Sequence, residues 1–209
     1  NGFVSYDFEE DMATINDKLH YYLAARSNKT DYDKIEIESV IDAKPNAKIN
    51  LLNFDMDLQG VGRIWLSDSQ QVWIAPVNQE MRLLKNRDFE FNGRVHAGRS
   101  DFYGKKFKFL YDQFRLDLDN VDSIRLKVVS DTEFDENGKP KLIPLKSTLQ
   151  NVTGKIYIDS LTNKSSRKSY APYPIFVSDK EAYVYYDHPS IYNGVYNRDK
   201  FYFKMDPFT

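Results

Sequence analysis

Apolar and polar positions alternate along residues 60–129 with little interruption, in runs such as RIWLS, QVWIA, MRLLK, FEFNG, RVHAG, FKFLY, FRLDL and IRLKV. Each run carries the two-residue period of a strand with one buried face. The polar connections between them are too short for the crossovers of a parallel α/β sheet, which need about a dozen residues. Two architectures fit that pattern: an antiparallel meander folded into a jelly roll or sandwich, or a solenoid of stacked rungs.

Three segments favour the solenoid. Residues 67–74, 118–126 and 148–156 each pass from a polar corner through a valine into another β run, as stacked corners do when side chains hydrogen-bond the backbone. Against it, Asn92-Gly93 and Asn137-Gly138 have the composition of tight hairpin turns. The expected fold is therefore all-β in the main, a β-solenoid or elongated stacked sheet, with a jelly roll or β-sandwich as the alternative.

Only residues 7–27 break the two-residue period. Phe8, Met12, Ile15, Leu19 and Tyr22 step by fours and threes, and Asp7 with Glu10 resembles a capping box. This spacing predicts one N-terminal amphipathic helix, packed on its own sheet. Residues 1–59 read as that helical lead-in with the first strands, through KIEIESVIDA and KINLLNFDMDL. Residues 60–209 read as one repetitive β body ending in tyrosine-rich strands, with a polar hairpin tip or loop at 131–142 and a loop at 161–174.

Composition narrows the function classes more than it selects one. The 209 residues carry a net charge of −2, 41% hydrophobic and 29% charged residues, and no cysteine. That rules out disulfides and thiolate chemistry, and it argues against a general nucleic-acid binder. No apolar run reaches the roughly 18 residues of a spanning helix, so no membrane-spanning segment is expected. Residues 1–25 lack the apolar core of a secretory signal. The chain opens on Asn1 rather than Met, and a piece of something longer is the expectation.

Candidate chemistry is sparse. His20, His96 and His188 have no ligand-like spacing, and no nucleophile elbow, P-loop or dinucleotide motif occurs. No metal, cofactor or catalytic residue is expected. Asp55 and Asp57, and Asp117, Asp119 and Asp122, place carboxylates at strand spacing, which is also what a solvated strand face requires. Residues 82–108 hold eight bases against three acids, including Arg94, Arg99 and Lys106. Stacked, they would make a face for an anionic polysaccharide or an acidic partner. The best binding candidates are Tyr183, Tyr185, Tyr186, Tyr192 and Tyr196, aromatic platforms beside Asp187, Asn193, Asn197 and Asp199.

The phrases LSDSQQVWIAPVNQEMRLLKNRDFEFNGRVHAGRSDFYGKKFKFLYDQFRLDLDNVDSIRL, GKIYIDSLTNKS, YPIFVSDKEAYVYYD and KFYFKMDPF resemble an internal segment of large uncharacterised cell-envelope proteins of the Bacteroidota type. The resemblance covers most of residues 50–209. It implies a long exported parent, in the periplasm or at the cell surface, with further β units on either side, and it implies no activity. The expected function is a non-enzymatic structural or interaction unit of such a protein, its partners being envelope proteins or neighbouring units of the same chain. The alternatives are a polysaccharide-binding module, or a β-helix lyase or hydrolase using Arg94 or Lys106 with Asp101 or Asp117.

Overall fold

The structure, a computed structural model, describes the backbone of three short N-terminal strands and residues 34–39, 46–145, 148–160 and 172–209. The strands are β1 (Val4–Asp7), β2 (Met12–Ile15), β3 (His20–Ala24), β4 (Lys34–Glu38), β5 (Ala47–Asn50) and β6 (Met56–Gln59). There follow β7 (Ile64–Ser67), β8 (Val72–Leu83), β9 (Phe89–Ala97), β10 (Ser100–Leu110), β11 (Arg115–Phe134) and β12 (Pro140–Pro144). The last are β13 (Leu149–Gln150), β14 (Val152–Tyr157), β15 (Ile175–Ser178), β16 (Ala182–Tyr185) and β17 (Tyr202–Met205). Fifteen of them form one sheet, whose main path runs β1-β2-β5-β6-β8-β9-β10-β11-β13-β16-β17, and β3 pairs with β4 alone.

The mainly β expectation is met; the solenoid and the N-terminal helix are not supported. A solenoid stacks its rungs in parallel, whereas the strand pairs described here are antiparallel. The three polar corners are three different features. Residues 67–74 hold the β7–β8 turn, 118–126 lie inside β11, and 148–156 cover β13, β14 and the Asn151 kink. In place of the helix over 7–27 stand β2 and β3, while Phe8 and Leu19 lie outside the described residues. The physical reason is a pairing partner: Tyr21 and Leu23 register with Ile37 and Ile35, and β-formers with a ready strand override a five-residue helical period. No α-helix occurs among the described residues, only a 3-10 turn at Tyr192–Gly194.

A seam of irregular pairing bends the sheet. Pro76, Gly93, Gly104, Val121 and Val152 oppose one another across β8, β9, β10, β11 and β14, and bulges interrupt the register beside them. A Cβ on Gly93 would fall 2.3 Å from the Ala75 carbonyl oxygen, and one on Gly104 2.1 Å from that of Asn120. Only glycine admits this approach. Asn92-Gly93 is thus part of the bend inside β9 and not a hairpin turn. Asn137-Gly138 is a turn, closed by the Gly138 amide donating to Asp135 O at 3.0 Å.

The bend lets one sheet bury its own apolar face. Phe102 opposes Ile124, and Phe176 joins the row of Ile156 and Leu116. On a flat sheet those rows would stand about 26 Å apart, eight residues along β11 at ~3.3 Å each. The Phe102 and Phe176 rings are nonetheless 4.9 Å apart. The sheet therefore folds back, and Phe89, Phe107, Phe109, Leu116, Leu118 and Ile74 become fully buried in one cluster that Ile35 and Ile37 of β4 also enter. Polar residues alternate onto the outer surface.

Candidate functional site

The outer surface over β5–β14 is a ladder of opposite charges. Lys48, Asp57, Arg82, Glu90, Lys108, Asp117 and Lys155 stand in register, alternating in sign at every step. Arg82 reaches Asp57 at 3.3 Å and Lys108 reaches Glu90 at 3.6 Å. Arg115 holds Asp117 through two bonds, and Lys155 pairs with Asp179 at 2.9 Å. A groove of about 770 Å3 lies over this ladder, lined by both signs and by Lys106 and Asp119. The basic run of 82–108 is therefore no single-sign face: acids from neighbouring strands are interleaved with it.

Arg94 belongs to a second outer cluster. Trp65, Trp73, His96, Asp101 and Arg125 form a row across β7–β11. Asp101 Oδ1 accepts from Arg94 Nη2 at 2.8 Å, Arg94 Nε at 3.1 Å and His96 Nδ1 at 2.7 Å. Trp73 stacks on His96 with ring centroids 5.0 Å apart, and the Arg63 and Arg94 guanidiniums lie over its ring. Burial pushes the Asp101 carboxyl up, but hydrogen bonds from His96 and Arg94, with their charge, outweigh it and hold the group below its ordinary value. Being ionised, the carboxylate only accepts, so His96 Nδ1 carries the proton.

The Asp101 side chain is 6% exposed and its Oδ1 is occupied three times over. It holds strands together and offers no proton at neutral pH. Of the other pairings considered for a lyase or hydrolase, Asp117 is bound by Arg115 on its own strand, while the Lys106 amide, at a positive φ, donates to Asn92. Arg99 is exposed at the β9–β10 turn, where its carbonyl accepts from Lys127 N. Arg94, Arg99 and Lys106 do not converge with the tyrosines into one site. Among the described residues, no three His, Asp or Glu side chains gather as a metal site.

The five tyrosines fall into two ring groups beside the β16–β17 edge, Tyr183 and Tyr185 in one and Tyr186, Tyr192 and Tyr196 in the other. Tyr183 and Tyr185 stack 6.1 Å apart, and Tyr202 closes on both at 5.8 and 6.1 Å. Arg198 lies 3.7 Å over the Tyr185 ring while bonding Asp187 and Gln150, which fixes the 188–198 loop to the strands. Around that loop, Tyr196 stacks on Phe201 at 4.5 Å, with Tyr186 and Tyr192 edge-on. The Tyr183 hydroxyl donates to Glu181, which raises its pKa; Glu181 also takes the Lys204 ammonium, lowering its own and raising that of Lys204.

These rings are not a finished core. Tyr192 is 78% exposed and Val195 74%, while Phe201, Tyr202 and Phe203 are about half exposed. Sequence reasoning on tyrosines alone passed over Phe201, Phe203 and Arg198, although KFYFK and YNRDK stand beside the chosen residues. The comparisons with known proteins add nothing to this geometry: no family model, no curated protein and no solved structure matches the chain.

Proposed function

We propose that this chain is a non-enzymatic interaction unit, and that the β16–β17 aromatic edge is its contact surface. The observation that carries the reading is the exposure of Tyr192, Phe201, Tyr202 and Phe203 on and beside the last strand of the sheet path, while the ladder pairs Arg82 with Asp57, Lys108 with Glu90 and Lys155 with Asp179. Monomers rarely leave large apolar side chains contiguous and open to water unless a partner covers them. Within that reading the unit belongs to a larger exported envelope protein, and its folded-back sheet is a sandwich. No helix among the described residues is long and apolar enough to cross a membrane.

The test is native co-purification of the parent from its source membrane, with the edge intact and with Tyr192→Ser, Phe201→Ser and Phe203→Ser combined. A stoichiometric partner set lost only from the triple variant supports the reading. The same partner set in both preparations overturns it.

A polysaccharide-binding module is the second reading, favoured by one observation: the rings that such a module needs in solvent are in solvent, Tyr192 above all. Tyr196 and Phe201 cover each other's faces, however, and leave less platform for a sugar. Polysaccharide binding that Tyr192→Ala abolishes would favour it over the protein contact.

A further inference from the structure

The inward-facing row Ile124–Leu149–Val184–Phe203 runs out to solvent at β17. Ile124 is 1% exposed, Leu149 5%, and Phe203 53%. The core thus reaches the edge of the sheet without a strand to close it, and among the described residues β17 has one neighbour only. We propose that a second copy of this chain supplies the missing strand, pairing β17 with β17 antiparallel about a two-fold axis through Phe203. The inference rests on the edge being the contact surface, and it names the occupant.

Symmetry and charge pick both the partner and the register. Two copies of one strand joined side by side on the same faces are related by an axis perpendicular to the sheet, and that axis must pass through a residue, because opposed residues share a face. β17 offers Tyr202, Phe203, Lys204 and Met205. An axis at Tyr202 sets Lys200 against Lys204, and one at Lys204 sets that ammonium against itself. An axis at Met205 brings Pro207, which has no amide to give, opposite Phe203.

The axis at Phe203 has none of these faults. About it the segment DKFYFKMD (199–206) is complementary to itself: Phe201 meets Met205, Tyr202 meets Lys204, and Lys200 meets Asp206. Apolar opposes apolar, ring opposes ammonium, and base opposes acid. Phe203 covers its own copy, which closes the core row of both sheets at once.

The absence of cysteine makes the test clean. The 209-residue chain should sediment at twice its own mass, and Phe203→Asp should return it to monomer with its β spectrum intact. Opposed residues on antiparallel strands have Cα atoms about 4.5–5.5 Å apart, within disulfide reach. Phe203→Cys should therefore cross-link to a dimer on mild oxidation, and Tyr202→Cys alone should not. A dimer that cross-links through Tyr202→Cys and not Phe203→Cys overturns the register. A monomeric wild type overturns the second copy; if Phe203→Asp then still strips membrane partners, the edge stands as a contact surface for another protein. A monomer that keeps its partners in Phe203→Asp removes both readings.

Discussion

The laddered surface over β5–β14 and the aromatic edge of β16–β17 belong to one sheet and treat solvent in opposite ways. On the ladder, each charge stands beside its opposite on the next strand, from Lys48 to Lys155. Opposite signs meet along that row. At the edge, rings pack on rings yet stay open, and the core row ends on a half-exposed Phe203. The contrast teaches that charge density alone is a poor guide to function here: acids are interleaved with the densest basic run, at Asp57, Glu90 and Asp101, and the unfinished surface is apolar.

The comparison can be broken at its root through the seam that holds both regions on one core. Gly104→Ala puts a Cβ against main-chain atoms of Asn120 and Val121. Chemical denaturation should show a loss of about 4 kcal/mol, the range reached when a buried backbone contact must give way. An unchanged midpoint would mean the bend does not depend on that approach.

Next in size is Asp101→Asn, which leaves Arg94 and His96 facing a neutral group. Breaking such an enclosed pair costs about 3 kcal/mol at neutral pH. The sign with pH follows from the lowered carboxyl. Its contribution is fully present above the unfolded value of about 3.9 and is lost as pH falls through the lower folded value. Wild type and Asp101→Asn should converge in acid; parallel curves down the whole acid limb would remove the carboxylate from the account.

Within the ladder, Glu90→Lys sets three cations side by side with Arg82 and Lys108. Half-exposed like charges of this kind cost about 1 kcal/mol, shrinking as salt is added. A salt-independent loss would show packing, not charge, at Glu90. The smallest expected effect sharpens the contrast most. Tyr192→Ser, on a side chain 78% exposed, should move stability by less than about 0.5 kcal/mol, even where it weakens partner retention. A large loss of stability would make the edge part of the fold, not a contact surface.

Much of this was legible beforehand. The two-residue alternation of 60–129 gave the strands, the Asn137-Gly138 turn came out as composition suggested, and of the tyrosines singled out Tyr183 touches Tyr185 and Tyr192 touches Tyr196. The helix over 7–27 failed because five apolar positions at fours and threes are a weak period beside the pull of a pairing strand, and β3 finds β4. A face of one sign does not form because acids set between the bases sit a strand away in space, and some tens of residues away in sequence, as Asp57 does for Arg82.

What the sequence determined by itself is local: which residues extend, which face of each strand is apolar, and where aromatics are dense. Those follow from side-chain chemistry and a period of two, properties each segment has alone. Tertiary structure decided the register, and with it everything relational. It chose whether Asn92-Gly93 turns or bends, whether Lys108 meets Glu90, and whether the core row closes or runs out at Phe203. A shift of one residue exchanges the two faces of a strand, so these relations are set only when the whole sheet is paired.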